Sequence, residues 1–288
     1  MEYLAHVGIM AAIYCILSLS LNLVVGYCGR YSLSHAAFYG TGAYATAILT
    51  ANYHTGFFAS MLFGAAIAAA GALVIGLVLN RLQGEYYLLA SLGFVIIMSS
   101  VFNNLNNITG GALGIAGIPP PAILDNILRS HLSVFLLAFL ICVLVYALLA
   151  YITSAPFGRI LRAGREDEEV VATLGYNTTL FKTVALAVSG GVAAIAGSIL
   201  AAYVTYVSPS SFDINESILI LVMVILGGLA DLKGSLLGAT ILVTLPESLR
   251  FLGLPAVMAD NLRQIIYGAA LILMMFFRPQ GFLGKYKI

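Results

Sequence analysis

The chain contains no tryptophan, only three cysteines and four histidines, and just 9% of its residues are charged. Each shortage removes a class of answer. Without tryptophan, tyrosine must supply any aromatic belt at a membrane surface. Cys15, Cys28 and Cys142 are scattered and odd in number, which argues against a disulfide framework. His6, His35, His54 and His131 are dispersed, with no His-x3-His pair and no Cys/His spacing, so no metal is expected on this chain. No Gly-x4-Gly-Lys-Ser/Thr loop occurs, so any ATP-driven work would fall to a partner, and no catalytic constellation emerges. A formal net charge of +1 offers nothing to a nucleic acid. The first apolar run begins at Tyr3 with no basic segment before it, and Gly26 to Arg30 lacks a small-x-small cleavage site. That run is expected to be kept as a span.

What is present is apolar. Hydrophobic residues fill 61% of the 288 positions, against roughly 45–50% in a soluble domain, and the mean hydropathy is +1.02. Runs long enough to cross about 30 Å of hydrocarbon recur at 3–25, 33–51, 58–80, 86–102, 132–153, 181–204, 214–229, 236–252 and 262–277. The fold class expected is an all-α polytopic membrane protein, with about eight or nine transmembrane or re-entrant helices in one bundle. Residues 1–288 read as a single domain. Two runs, 86–102 and 214–229, are short for a full crossing. Alternating the spans from an external N-terminus puts Arg30, Arg81, Arg159, Arg162, Arg165, Lys182, Lys233, Arg278, Lys285 and Lys287 in the cytosol. Only Arg129, Arg250 and Arg263 then lie outside, the asymmetry that the positive-inside rule asks for.

The densest charge sits between the fifth and sixth runs, at about 154–182. There Arg159, Arg162 and Arg165 precede the acidic run Glu166 to Glu169, then Val170, Val171, Leu174 and Gly175, with Lys182 at the edge. At helical spacing Ile160, Ala163, Val170, Val171 and Leu174 share one face, and Arg159, Arg162, Glu166 and Glu169 another. Asp167 falls inside the apolar face, which makes one continuous helix doubtful; two short helices hinged near Gly164 fit equally well. The segment is either a solvated connector or a docking element.

Three other stretches carry polar groups at or near membrane depth. In SLSHAAFYGTGAYATAIL, Ser32 or Ser34 can cap a helix that starts at Ser34–His35. A helix starting inside the membrane leaves free N–H groups and a positive dipole end, which suit a carboxylate; equally, Ser34 and His35 can cap a helix at the interface and touch only water. After the fourth run, Asn103, Asn104, Asn106, Asn107 and Thr109 lead into Gly110-Gly111-Ala112-Leu113-Gly114. No lipid-facing helix tolerates such a run, so it is buried in protein or faces water. Glu216 is the acidic residue expected deepest in the membrane. Candidate pathway residues are therefore Ser34, His35, Asn107, Thr109, Gly110 and Glu216. Ser189-Gly190-Gly191 and Gly197-Ser198 read instead as close helix packing.

Four blocks carry a resemblance: SLSHAAFYGTGAYATAIL from Ser32, TGGALGI from Thr109, FGRILRAGREDEEVVATLGYN from Phe157, and SFDINESILILVMVILGGLADLKGSLLGA from Ser211. Along nearly its whole length the chain resembles the branched-chain amino acid ABC permease family, specifically its M-type subunit. Glu169-Val170-Val171-x3-Gly175 keeps the spacing of the E-A-A-x3-G loop of ABC-importer permeases, although the Ile-x-Leu-Pro element that follows there is absent. Ala230-Asp231 also departs from the smaller pair common in the family. The resemblance implies a permease in a bacterial or archaeal inner membrane, paired with an H-type permease subunit, two ATPase subunits that bind ATP and Mg, and a periplasmic binding protein. It implies no cofactor on this chain, and Leu, Ile or Val as cargo. It makes 154–182 the coupling loop, with Arg159, Arg162, Arg165, Glu169, Val170, Val171, Leu174 and Gly175 facing the ATPase. Urea or short amides remain open as cargo. An ion-coupled secondary carrier would also be apolar and glycine-rich, with only Glu216 and Glu247 near the depth it needs.

The distribution of basic residues places Gly164 in the cytosol and Asn107 outside. In a cysteine-free background, an impermeant maleimide added to intact cells should label Asn107→Cys and spare Gly164→Cys. Labelling of Gly164→Cys would mean the inverse orientation.

Overall fold

The computed structural model describes residues 2–123, 126–128 and 130–250, together with 265, 266, 268, 269, 272, 273, 276, 278 and 280–284. Helix α1 (Glu2–Asn22) continues into a π turn (Leu23–Tyr27). Then come α2 (His35–Asn52), α3 (Phe57–Leu79), α4 (Glu85–Asn104), α5 (Asn106–Thr109) and α6 (His131–Ser154). The second half holds α7 (Pro156–Glu166), α8 (Glu168–Thr173), α9 (Thr178–Val204), α10 (Ile214–Gly227) and α11 (Leu232–Arg250). Two-residue strands tie loops: β1 (Ile115–Ala116) pairs antiparallel with β4 (Tyr206–Val207), and β2 (Ala122–Ile123) with β3 (Asn126–Ile127).

Among the described residues, six segments are long and apolar enough to cross a membrane: Glu2–Tyr27, Phe57–Leu79, Glu85–Asn104, His131–Ser154, Thr178–Val204 and Pro209–Gly227. With α2 and the shorter apolar part of α11, Leu232–Leu245, each expected run up to 250 holds a helix, and the chain is an all-α polytopic membrane protein. In the last expected run, 262–277, the described residues 265, 266, 268, 269, 272, 273 and 276 are helical. The rest of that run, with Arg263, lies outside the described residues, as do Arg129, Lys285, Lys287 and the Glu247 side chain.

Lipid is as apolar as leucine, so helices in a membrane associate through close fit and polar contacts more than through hydrophobic burial. Helix α9 meets that demand with Ser189, Gly190, Ala193, Ala194, Ala196, Gly197 and Ser198, all buried. A Cβ on Gly42 of α2 would overlap the Ala194 backbone, and one on Gly197 the backbone of Tyr39 and Ala43. Thr46 Oγ1 donates to Ser198 Oγ at 2.8 Å along the same seam. The glycine–serine stretches of α9 are thus packing surface. Beside it α1 and α6 run in the same direction. The Phe135 ring fills the space next to Gly8, and two turns further along both helices the Cys15 and Cys142 thiols hydrogen-bond, so two cysteines that look scattered are neighbours.

Contacts sort the loops into two ends. At one end Arg30 bonds Glu168, Asn80 bonds Thr183, Arg165 donates to the Gly26 carbonyl and the Ala230 N–H donates to Asn22. At the other, Tyr203 lies between His6 and His131, and β1 pairs with β4. Arg30, Arg162, Arg165 and Lys182, four of the ten basic residues expected on one side, gather at the first, basic end.

Replacing Gly42 by valine should prevent α2 from seating on α9, since overpacking costs about 1–3 kcal/mol even where side chains can give way and here the obstacle is backbone. Gly93, whose Cβ would meet nothing within 4 Å, serves as the control. Melting in detergent should drop for Gly42→Val and hold for Gly93→Ala; equal melting would contradict this packing.

Candidate functional site

The charged segment forms two helices, and the break falls at Asp167, not near Gly164. Pro156 starts α7 from its first turn, where a missing N–H costs nothing. Asp167 then adopts an extended backbone (φ −150°, ψ 107°), and its carboxylate accepts from the Glu169 and Val170 N–H groups, both at 3.0 Å, as the N-cap of α8. Gly175, at φ +88°, closes α8, the left-handed backbone that glycine tolerates best.

The inward faces differ from the expected ones. Helix α7 buries Gly158, Leu161 and Gly164, while Ala163 is exposed and makes the better labelling position. Gly158 lies so close to the Thr153 backbone that no Cβ would fit. Arg162 donates to the Thr153 carbonyl at 3.3 Å and stands 5.8 Å over the Tyr27 ring, and Arg165 donates to the Gly26 carbonyl. Those two arginines fasten α7 to the bundle; Arg159 and Glu169 face outward. Val171 is buried (3% exposed), so it belongs to the bundle and not to the free edge. Val170 (54%) and Leu174 (70%) are exposed, next to exposed Tyr176 and Leu180.

Sequence reasoning did not single out the ion network beneath this edge. Lys182 Nζ lies 2.5 Å from Glu168 Oε2, Arg30 lies 3.2 Å from the same oxygen, and Thr178 donates to Oε1 at 3.0 Å. Lys182 itself is buried. The available signal was a lysine inside the apolar run at 181–204; nothing in the spacing pointed to Arg30.

The second half of the site is the start of α2. After Arg30 the chain turns back into the bundle, and His35 Nε2 reaches Ser189 Oγ at 2.8 Å. Ser189 stands about 16 Å along α9 from its first residue, at 1.5 Å per residue, so α2 begins inside the bundle, beside the middle of α9. Two amides at this turn, however, are taken up by side chains of other helices. Ser34 provides no side-chain cap; its Oγ pairs with Ser32 Oγ at 2.8 Å. The Leu33 N–H donates to Ser91 of α4 at 2.9 Å, and the Ala36 N–H to Ser217 of α10 at 3.1 Å. Ser34 and His35 are fully buried, and His35 Nδ1 has no partner. Next to Ser217, Glu216 hydrogen-bonds Tyr14 of α1.

Thr109 and Gly110 lie elsewhere, at the end opposite the basic loop. Thr109 is buried and donates to the Phe102 and Leu105 carbonyls at 2.7 and 2.9 Å, closing α4, while Asn107 is exposed. Gly110 takes φ +73°, and a Cβ there would meet the Gly114 carbonyl, so enlarging it distorts the loop itself. Between this loop and the His35 layer stand the buried rings of Tyr39, Tyr44, Phe102 and Phe212, with Tyr44 stacked on Phe102 at 4.6 Å. The six pathway candidates therefore fall into two groups, Ser34, His35 and Glu216 below the rings and Asn107, Thr109 and Gly110 above.

Burial alone would raise the Glu168 carboxyl, but the hydrogen bond and charge of Lys182, with Thr178 and Arg30, hold it below its ordinary 4.5. A carboxyl lowered in the folded state contributes stability above its unfolded value and loses it as pH falls through the folded one. A spin label at exposed Ala172→Cys should therefore keep one mobility from pH 8 down to about pH 5 and loosen only below the ordinary carboxylate range. Glu168→Gln should loosen it at every pH; unchanged mobility in that variant would show that the ion network does not hold α8.

Residues 3–275 match the family described as branched-chain amino acid transport system / permease component. The chain is 32% identical over 300 residues to the high-affinity branched-chain amino acid transport system permease protein LivM of Salmonella typhimurium, covering 96% of this chain and 69% of that relative. It is 31% identical, with the same coverage, to the LivM protein of Escherichia coli. A probable branched-chain amino acid transport permease protein LivM of Methanocaldococcus jannaschii is 25% identical over 235 residues, 69% of this chain and 67% of that one. No solved structure is a significant match. The match runs through α2, the outer loop, α7–α8 and α10–α11 alike, and the chain belongs to the branched-chain amino acid transport permeases, on their M-type branch.

Proposed function

We propose that the chain is the transport subunit of an ATP-driven importer for leucine, isoleucine or valine, in a bacterial or archaeal inner membrane with α7–α8 in the cytosol. It is not an enzyme; ATP and Mg bind to two partner ATPase subunits, an H-type permease completes the passage and a periplasmic binding protein delivers the cargo. The relatives' names support the cargo and the transport role. One observation carries the coupling: α7–α8 is fastened to the bundle by arginines and an ion network, yet turns Val170 and Leu174 to solvent.

Fully burying a valine or leucine contributes roughly 1.5–3 kcal/mol, and exposed ion pairs only about 0–1 kcal/mol each. In this reading Val170 and Leu174 hold the ATPase, while Arg159 and Glu169 orient it. Cargo passes along α2, α4 and α10. The loop at Asn107, Thr109 and Gly110 receives it, the rings of Tyr39, Tyr44, Phe102 and Phe212 close the way, and Ser34, His35 and Glu216 form the layer beneath.

Leu174→Asp should strip the ATPase subunits, because docking would bury an unpaired charge, and Gly175→Val should misplace the edge by resisting φ +88°. Glu169→Gln should weaken coupling only modestly. Pull-down of ATPase subunits with substrate-stimulated ATP hydrolysis measures both. Retained ATPases and normal hydrolysis in Leu174→Asp and Gly175→Val would leave α7–α8 a plain connector.

A further inference from the structure

We propose that His6, His131 and Tyr203 form a site for a borderline divalent cation, Zn2+ or Cu2+, at the end of the bundle opposite the basic loop. His6 Nδ1 lies 2.6 Å from the Tyr203 hydroxyl oxygen, and His131 Nδ1 lies 3.4 Å from the same oxygen. The His6 ring is tilted 32° to the tyrosine ring at 5.7 Å, and the His131 ring meets it edge-on at 75° and 6.0 Å. Two imidazole nitrogens thus converge on one phenol oxygen, each from a different helix. The three residues are 197 and 72 positions apart along the chain, which is why no ligand spacing shows in the sequence.

The hydroxyl has one proton, so it can donate to one Nδ1 only, and the other imidazole must turn an N–H toward the oxygen. A cation that displaces the phenol proton to solvent, with each imidazole keeping its proton on Nε2, gives both Nδ1 atoms a lone-pair role at once. An N, N, O donor set of this kind suits Zn2+ or Cu2+ over Mg2+ or Ca2+, which favour oxygen alone. Tetrahedral metal–ligand bonds of about 2.0–2.1 Å set donor atoms roughly 3.3 Å apart, so His131 Nδ1 already stands at that spacing from the phenol oxygen and the His6 ring has to swing outward to admit the ion. The backbone spacing is set by the Phe135 ring against Gly8 just below. No cluster of three histidine, cysteine or carboxylate residues occurs among the described residues, so water completes the coordination and the site is an open one of moderate affinity. His131 is exposed and His6 half-buried, which gives an ion access from solvent. Once bound, it would tie the ends of α1, α6 and α9 together.

The test uses the full-length, untagged chain with whatever subunits co-purify, stripped with chelator and titrated calorimetrically with ZnCl2 and CuCl2. One micromolar site per chain is expected. His6→Ala and His131→Ala should each weaken it by about tenfold or more, Tyr203→Phe less, and His54→Ala not at all. His6→Gln and His131→Gln keep size and polarity should the alanine variants fold poorly, and the Cu2+ electron spin resonance spectrum should lose its imidazole nitrogen couplings in either. Absence of binding, or binding that survives both histidine substitutions, would overturn the site.

Discussion

A helix that begins inside a membrane must have its first amides hydrogen-bonded by protein, because hydrocarbon offers no partner. Helix α2 begins there, and the rest of the bundle is arranged around that requirement. Ser91 of α4 takes the Leu33 N–H, Ser217 of α10 takes that of Ala36, and His35 bonds Ser189 of α9, which in turn donates to the Ser20 carbonyl of α1. Five helices therefore meet in one buried polar layer. The small residues of α9 serve the same end, since only close backbone approach brings Ser189 and Ser198 within reach of α2.

That layer and the basic end are joined by very little chain. From Arg30, held by Glu168, a short stretch returns to His35. Arg165 grips Gly26 just before it, and the Asn22 side chain bonds the Ala230 N–H and the Asp231 carbonyl where α10 gives way to α11. In the proposed importer, a partner pressing on Val170 and Leu174 would act on the very residues that position the start of α2. In that proposal the charges add little to the partner's hold; they fix where the apolar edge points.

The membrane class, the runs up to residue 250 and the basic end could be read from the sequence because hydropathy and charge bias are sums over many residues. The details of the two candidate sites could not. Val171 was assigned to the free edge because helical spacing says which residues share a face and nothing about which way that face turns. The break at Asp167 depends on an N-cap, whose signal in Asp-x-x-Val is hidden while Asp167 is read only as a polar residue inside the apolar face. The amides of α2 looked open because their partners, Ser91 and Ser217, lie 58 and 181 residues away from the donors they serve. Pairings of that range, like Arg30 with Glu168, leave no trace in local pattern.

The π turn at Leu23–Tyr27 accommodates one more residue than an ordinary helical turn of the same height would. An α-helix advances by about 100° per residue, so the inserted residue acts as a fixed angular offset between the two parts of α1. Before it, Cys15 and Ser18 face α11; in its last turn, the Gly26 carbonyl faces Arg165. Regular winding through this stretch would swing that carbonyl around the axis by a comparable angle and away from the guanidinium. The turn thus works as a phase shifter, letting one continuous helix present correctly to two neighbours whose positions no single helical pitch could satisfy.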